Sequence, residues 1–142
     1  MSQPQIRKSF SSNTISVLFV KRKQVFLGRI FLVLLGVFVL YFWLQLNRLD
    51  SLFILLYIGL LGLFFSMNNP YGFIHNISLP FLFLPYIILP ALINQTGLVI
   101  VLCGLLLATV FYLKNKKKIN AFVQIALLAP TTIFIVIFLL TT

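Results

Sequence analysis

Imidazole, carboxylate and thiol side chains, the usual acids, bases and metal ligands, are almost missing from this chain, which holds one histidine, His75, one aspartate, Asp50, one cysteine, Cys103, and no glutamate. Enzymes that work by acid and base need positioned titratable groups. Asp50 lies in "NRLD" and His75 in "GFIHNIS", with the apolar stretch 51–67 between them. If that stretch crosses a bilayer, the two groups face opposite surfaces, which excludes a Ser/His/Asp relay or a carboxylate-oriented histidine within one chain. A three-ligand metal site fails for want of ligands. The expectation is a protein that is not an enzyme and uses no cofactor or metal.

The isolated polar residues have simpler uses. His75 beside Asn76 is expected at the inner membrane surface, half wetted and bonded to water, lipid phosphate or a helix-end carbonyl; the sharper alternative is pH sensing or proton relay. Arg48 and Asp50 should form an exposed turn with a weak ion pair, Asp50 also capping the helix that follows. Cys103, alone in an apolar run, cannot form an intrachain disulfide and reads as a small core hydrophobe. Asn76-Ile77-Ser78 and Asn94-Gln95-Thr96 spell glycosylation sequons, the first on the inner side and the second in a turn too tight to stand clear of the membrane.

The remaining chemistry belongs to the backbone. "LPFLFLPYIILP", Leu79 to Pro90, sets three prolines five residues apart in an apolar segment. Pro80, Pro85 and Pro90 lack an amide hydrogen and strip the carbonyls of Asn76, Phe81 and Tyr86 of their helical donors; Pro130 does the same to Ala126. Steps of five residues turn each proline about 140° around a helix, so the bends point in different directions. Carbonyls freed in hydrocarbon must find other partners, so the segment should be sheltered by protein. Two uses are open: a kinked, packed helix, or a broken helix whose carbonyls, with His75 and Asn76, line a substrate path.

The elements that hold these residues follow from composition. The chain has 142 residues, 61% of them hydrophobic, and a mean hydropathy of +1.13, far above a soluble domain. Five apolar stretches, 25–46, 51–67, 72–93, 97–113 and 119–140, are each long enough to span a bilayer, the shorter ones barely. The breaks "NRLD", "NNPY", "NQT" and "KNKKK" are tight, so successive helices must pack as antiparallel neighbours. This predicts an all-α polytopic integral membrane protein of about five transmembrane helices, with residues 1–24 as a basic N-terminal tail and 25–142 as one helical bundle. Within the tail, "ISVLFV" suits a short interfacial helix or a disordered segment.

Bases set the orientation. Arg7, Lys8, Lys21, Arg22, Lys23 and Arg29 precede or open the first stretch, and Lys114, Lys116, Lys117 and Lys118 lie between the fourth and fifth. The positive-inside bias puts both clusters on the inner face, which needs an even number of crossings between them. A re-entrant 72–93 would break that parity. The expected arrangement is N-terminus inside and C-terminus outside, in a bacterial inner membrane or an organellar inner membrane. Arg29 can snorkel to the headgroups, and Tyr41 and Trp43 suit the outer aromatic belt.

Because the basic clusters flank apolar runs, they point to anionic lipid headgroups and not to nucleic acid, Lys21, Arg22, Lys23, Lys116, Lys117 and Lys118 being the contacting residues. Small residues, Gly59 and Gly62 with Ser66 in one helix and Gly97, Gly104 and Ala108 in another, allow close approach of backbones, within the bundle or against a homo-oligomer or partner helix. Coupled transporters and cation pores want an intramembrane carboxylate, and none is present. The function expected is an accessory, assembly or structural subunit docking against other membrane helices. The alternative is a small oligomeric transporter or channel for an anionic, neutral or lipid-like substrate.

Overall fold

In the computed structural model, residues 3, 13–115 and 119–141 are described, and every element among them is helical. A short helix α1, Ile15–Lys21, precedes α2, Val25–Leu46, α3, Asp50–Ser66, and α4, Phe73–Ile88, which runs on as a 3-10 turn, Leu89–Leu92. Then come α5, Gln95–Lys114, and α6, Ala121–Thr141. Four helices are long and apolar enough to cross a membrane: α2, α4 with its 3-10 extension, α5 and α6. The protein is an all-α, polytopic membrane architecture. Helix α3, 17 residues, is shorter, about 25 Å at the α-helical rise, yet it accompanies α4 along its length.

Paired side chains show how neighbours run. Between α2 and α3, the Trp43 indole donates to Asp50 (2.8 Å), the Tyr57 hydroxyl to the Gly36 carbonyl (2.6 Å) and the Arg29 guanidinium to the Phe64 carbonyl (3.2 Å). Numbers rise on one helix as they fall on the other, the register of antiparallel neighbours. The same reversal relates α3 to α4, where Ser66 meets His75 and Gly62 meets Ser78. It recurs between α5 and α6, where Gly104 meets Pro130 and Phe111 stacks on Phe122 at 5.7 Å. Helices α4 and α6 are parallel, joined by Tyr86 to Thr131 and Thr132. The starts of α2, α4 and α6 thus share one end with Lys21 to Lys23 and Lys114, hereafter the basic end. Residues 116–118 lie outside the described set.

The main core fills the space between α2, α3 and α4, with Phe42, Phe53, Leu56, Tyr86 and Leu89 fully buried and Ile135 of α6 closing it. Trp43 stacks on Phe53 at 5.2 Å, and Phe42 meets Phe138 edge-on at 5.2 Å. Helix α5 stands to one side. It buries only Gly97, Val101, Gly104 and Ala108, a stripe one residue wide along which its backbone closes on α6 and the 3-10 turn.

Termini and turns explain several polar residues. Asn94 is no stray sequon: its side chain caps α5, accepting from the Gly97 amide at 2.7 Å. Replacing Asn94 with Ala should cost about 1 kcal/mol of stability, read by unfolding in detergent, and Asn94→Asp should restore it. Asn120, buried, does the same for α6 through the Val123 amide at 3.0 Å. In the turn between α2 and α3, Asn47 and Leu49 have φ of 56° and 64°. For Leu49 that left-handed backbone costs roughly 1–2 kcal/mol, offset by packing on the main core.

Three expectations need correction here. Arg48 and Asp50 do not pair: Arg48 donates to the Ile93 carbonyl (3.3 Å) while Asp50 accepts from Trp43, and Leu49 occupies the cap position with no side-chain cap bond. Arg29, which can reach the headgroups from this end, donates to the Phe64 carbonyl and covers the Phe64 ring at 5.7 Å. Cys103 is exposed, since the buried stripe of α5 falls on Gly104 and leaves its neighbour facing outward. His75 is only 1% exposed, packed between α3 and α4 and not half wetted.

Candidate functional site: the proline-kinked helix α4

Helix α4 forms despite its prolines because only one residue in five loses its donor and Gly72, extended at φ −75° and ψ 161°, starts it cleanly. Pro85 and Pro90 are buried, whereas Pro80 and Asn76 are exposed. The Asn76 carbonyl stripped by Pro80 lies in the first turns at the basic end, where water and headgroups can reach it.

Deeper in the bundle, protein supplies the partners. The Tyr86 carbonyl, freed by Pro90, accepts from the buried Thr131 hydroxyl at 2.7 Å. The Tyr86 phenol lies 2.6 Å from the Thr132 hydroxyl, whose own proton goes to the Leu128 carbonyl at 3.0 Å, so the phenol is the donor. One tyrosine therefore clamps α4 to α6 at both its carbonyl and its ring. The Phe81–Leu82 peptide, whose carbonyl Pro85 strips, lies against Gly59: a Cβ there would stand 2.6 Å from the Phe81 carbonyl carbon and 2.9 Å from the Leu82 Cα. At Pro130 a similar relation holds, since a Cβ on Gly104 would meet the proline Cγ at 2.5 Å and the Ala126 carbonyl oxygen at 3.5 Å. At both places a proline-containing helix faces a glycine of its neighbour.

At the basic end a small polar group links α3 and α4. Ser66 donates to the Gly62 carbonyl (2.6 Å) and Ser78 to the Ile74 carbonyl (2.7 Å). His75 Nδ1 sits 3.4 Å from the Ser66 hydroxyl. With the Ser66 proton committed to Gly62, the imidazole is the donor. A Cβ on Gly62 would overlap the Ser78 hydroxyl. His75 thus lies on the α3 side of α4 and does not join Asn76, which faces outward, in one site. Asp50 stands at the opposite end of α3, and among the described residues no group of three His, Cys, Asp or Glu side chains could hold a metal ion.

Two apolar grooves flank α4. One, about 300 Å³, runs between α3 and α4 past Leu55, Pro80 and Pro85; the other, about 390 Å³, lies between α4 and α6 past Pro80, Phe83 and Leu127. Of the small residues, Gly59, Gly62, Gly104 and Ala108 all sit at helix contacts inside the chain. Lys21, Arg22 and Lys23 are exposed, with Lys21 Nζ donating to Asn13 at 2.9 Å. Lys116, Lys117 and Lys118 fall outside the described residues.

Sequence reasoning missed Tyr86, Thr131 and Thr132. The available signal was a pair of hydroxyl residues directly after Pro130 and a tyrosine directly after Pro85, polar groups placed where the helices had backbone groups to satisfy. Compared with known family models, curated proteins and solved structures, the chain matches none.

Proposed function

We propose that this protein is a non-enzymatic accessory, assembly or structural subunit, docking laterally against other membrane helices with its basic end on the inner face. The observation that carries this reading is the commitment of its interior polar groups: no buried side-chain nitrogen or oxygen among the described residues lacks a hydrogen-bond partner. A transport path needs polar groups free to exchange partners with a passing substrate, and along α4 those groups are bonded to neighbouring helices, as His75 and Tyr86 are, or within the helix, as Ser78 is. Helix α5, with most of its circumference open, offers a face for a partner. Purification in mild detergent tests the proposal. A second membrane protein should travel with it at a fixed ratio, and a chain that purifies alone yet carries flux when reconstituted would defeat the idea.

The alternative, a small oligomeric transporter or channel, draws on the apolar grooves either side of Pro80, which suit a lipid-like substrate better than an ion. Pro85→Ala separates the two. The straightened helix must press its Phe81–Leu82 peptide differently on Gly59, so assembly and melting temperature should fall together with whatever activity is scored. Unchanged assembly and melting with abolished flux would favour transport instead.

A further inference from the structure

Helix α1 is not a free interfacial segment. It is tied across the starts of α2 and α6 by the Ile15 amide donating to the buried Gln124 side chain (2.8 Å) and the Ala121 amide donating to the Asn13 carbonyl (2.7 Å). Phe19 seats on Gly28, where an added Cβ would stand 3.2 Å from the ring. Beneath this strap remains a groove of about 270 Å³, walled by Leu18, Phe19, Phe31 and Ile125, with Arg22 and Gln24 as polar lining. At roughly 30 Å³ for a water-sized group, the groove holds about nine such groups, the scale of an acyl-chain segment.

We infer that this groove binds one anionic phospholipid, its phosphate at Arg22 and the adjoining Lys21 and Lys23, and one acyl chain laid along Phe31 and Ile125. Charge complementarity selects the occupant. Arg22 lines the groove with Lys21 and Lys23 beside it in the chain, and the only acidic residue in the chain, Asp50, is at the far end of α2 and α3. No carboxylate therefore competes for the bases or repels a phosphate. Phe31 and Ile125, 49% and 43% exposed, continue the groove from headgroup depth into hydrocarbon. A phospholipid, charged at one end and apolar along its chains, matches both the basic side chain and the apolar walls of the groove.

Native mass spectrometry of the full chain in detergent, titrated separately with phosphatidylglycerol and phosphatidylcholine, tests this. One phosphatidylglycerol should be retained well above the background of further adducts, and Arg22→Gln should weaken its retention about fivefold, the loss of one base at an anionic headgroup. Arg48→Gln, the same charge change at the far end, should leave it unaltered. Ile125→Trp, filling the groove with the bases intact, should displace the lipid. Helix content by circular dichroism checks that each variant is folded. Equal retention of phosphatidylcholine, equal loss in Arg48→Gln, or a lipid that ignores Ile125→Trp would each overturn the inference. So would a groove that holds neither lipid.

Discussion

Gly59→Ala should cost the fold about 2–3 kcal/mol although it adds only a methyl and replaces a poor helix former with the best one. The new carbon meets backbone, the Phe81–Leu82 peptide of α4, and backbone cannot rotate aside as a side chain can. Helices α3 and α4 must separate over the whole seam, which also loosens Ser66 from His75 and Gly62 from Ser78. Gly36→Ala is the matched control: its Cβ would lie 3.8 Å from Leu60 and Tyr57, ordinary contact. Unfolding in detergent, with the two variants compared against the parent, should show Gly36→Ala unchanged or slightly stabilised and Gly59→Ala strongly destabilised. Similar behaviour in both would mean that the α3–α4 seam is not close-packed.

Thr131→Val keeps the shape of a buried side chain and removes its hydroxyl, so the loss should report on one hydrogen bond. The acceptor is the Tyr86 carbonyl, which has no helical donor because residue 90 is proline. Interhelical bonds in membranes average about 0.6 kcal/mol and reach about 1.7. With its acceptor left dry, this one should sit near the upper end. Pro90→Ala returns an amide hydrogen within reach of that carbonyl. The double variant should therefore lose less than the two single losses combined, by about 1 kcal/mol in a double-mutant cycle. Strict additivity would show that Thr131 stabilises the contact by packing alone, and that the proline and the threonine answer to different needs.

Hydropathy alone located the long helices well: the predicted 25–46 coincides with Val25–Leu46, and 72–93 with Phe73–Ile88 and its 3-10 continuation. Length and apolarity are the physical requirements of a span, and both are local properties of the chain. Which face of a helix is buried was legible only where small residues line up, as at Gly97, Gly104 and Ala108, because in a lipid-soluble chain every face is apolar and no 3.6-residue alternation marks the interior. Cys103 and Gly104 illustrate the point: adjacent, both small, one exposed and one pressed on Pro130. The proline positions predicted that freed carbonyls would need shelter, but the partner of Tyr86 lies 45 residues away, beyond any local pattern. His75 was misplaced because depth was inferred from its nearness to a turn, while Ser66 and Ser78 supply a polar niche that lets it stay inside.

The distance between Tyr86 and Thr131 along the chain is also an interval in time. A ribosome adds roughly 5–20 residues each second, so the 45 residues that separate the carbonyl from its donor take about 2–9 s to emerge. Throughout that interval α4 exists with Pro90 in place and α6 unmade. A helix with a bare carbonyl is poorly suited to lipid, so α4 has reason to linger in the insertion machinery or against α3 until α6 arrives with Thr131. On this account α6 is the helix whose arrival completes the bonding of α4.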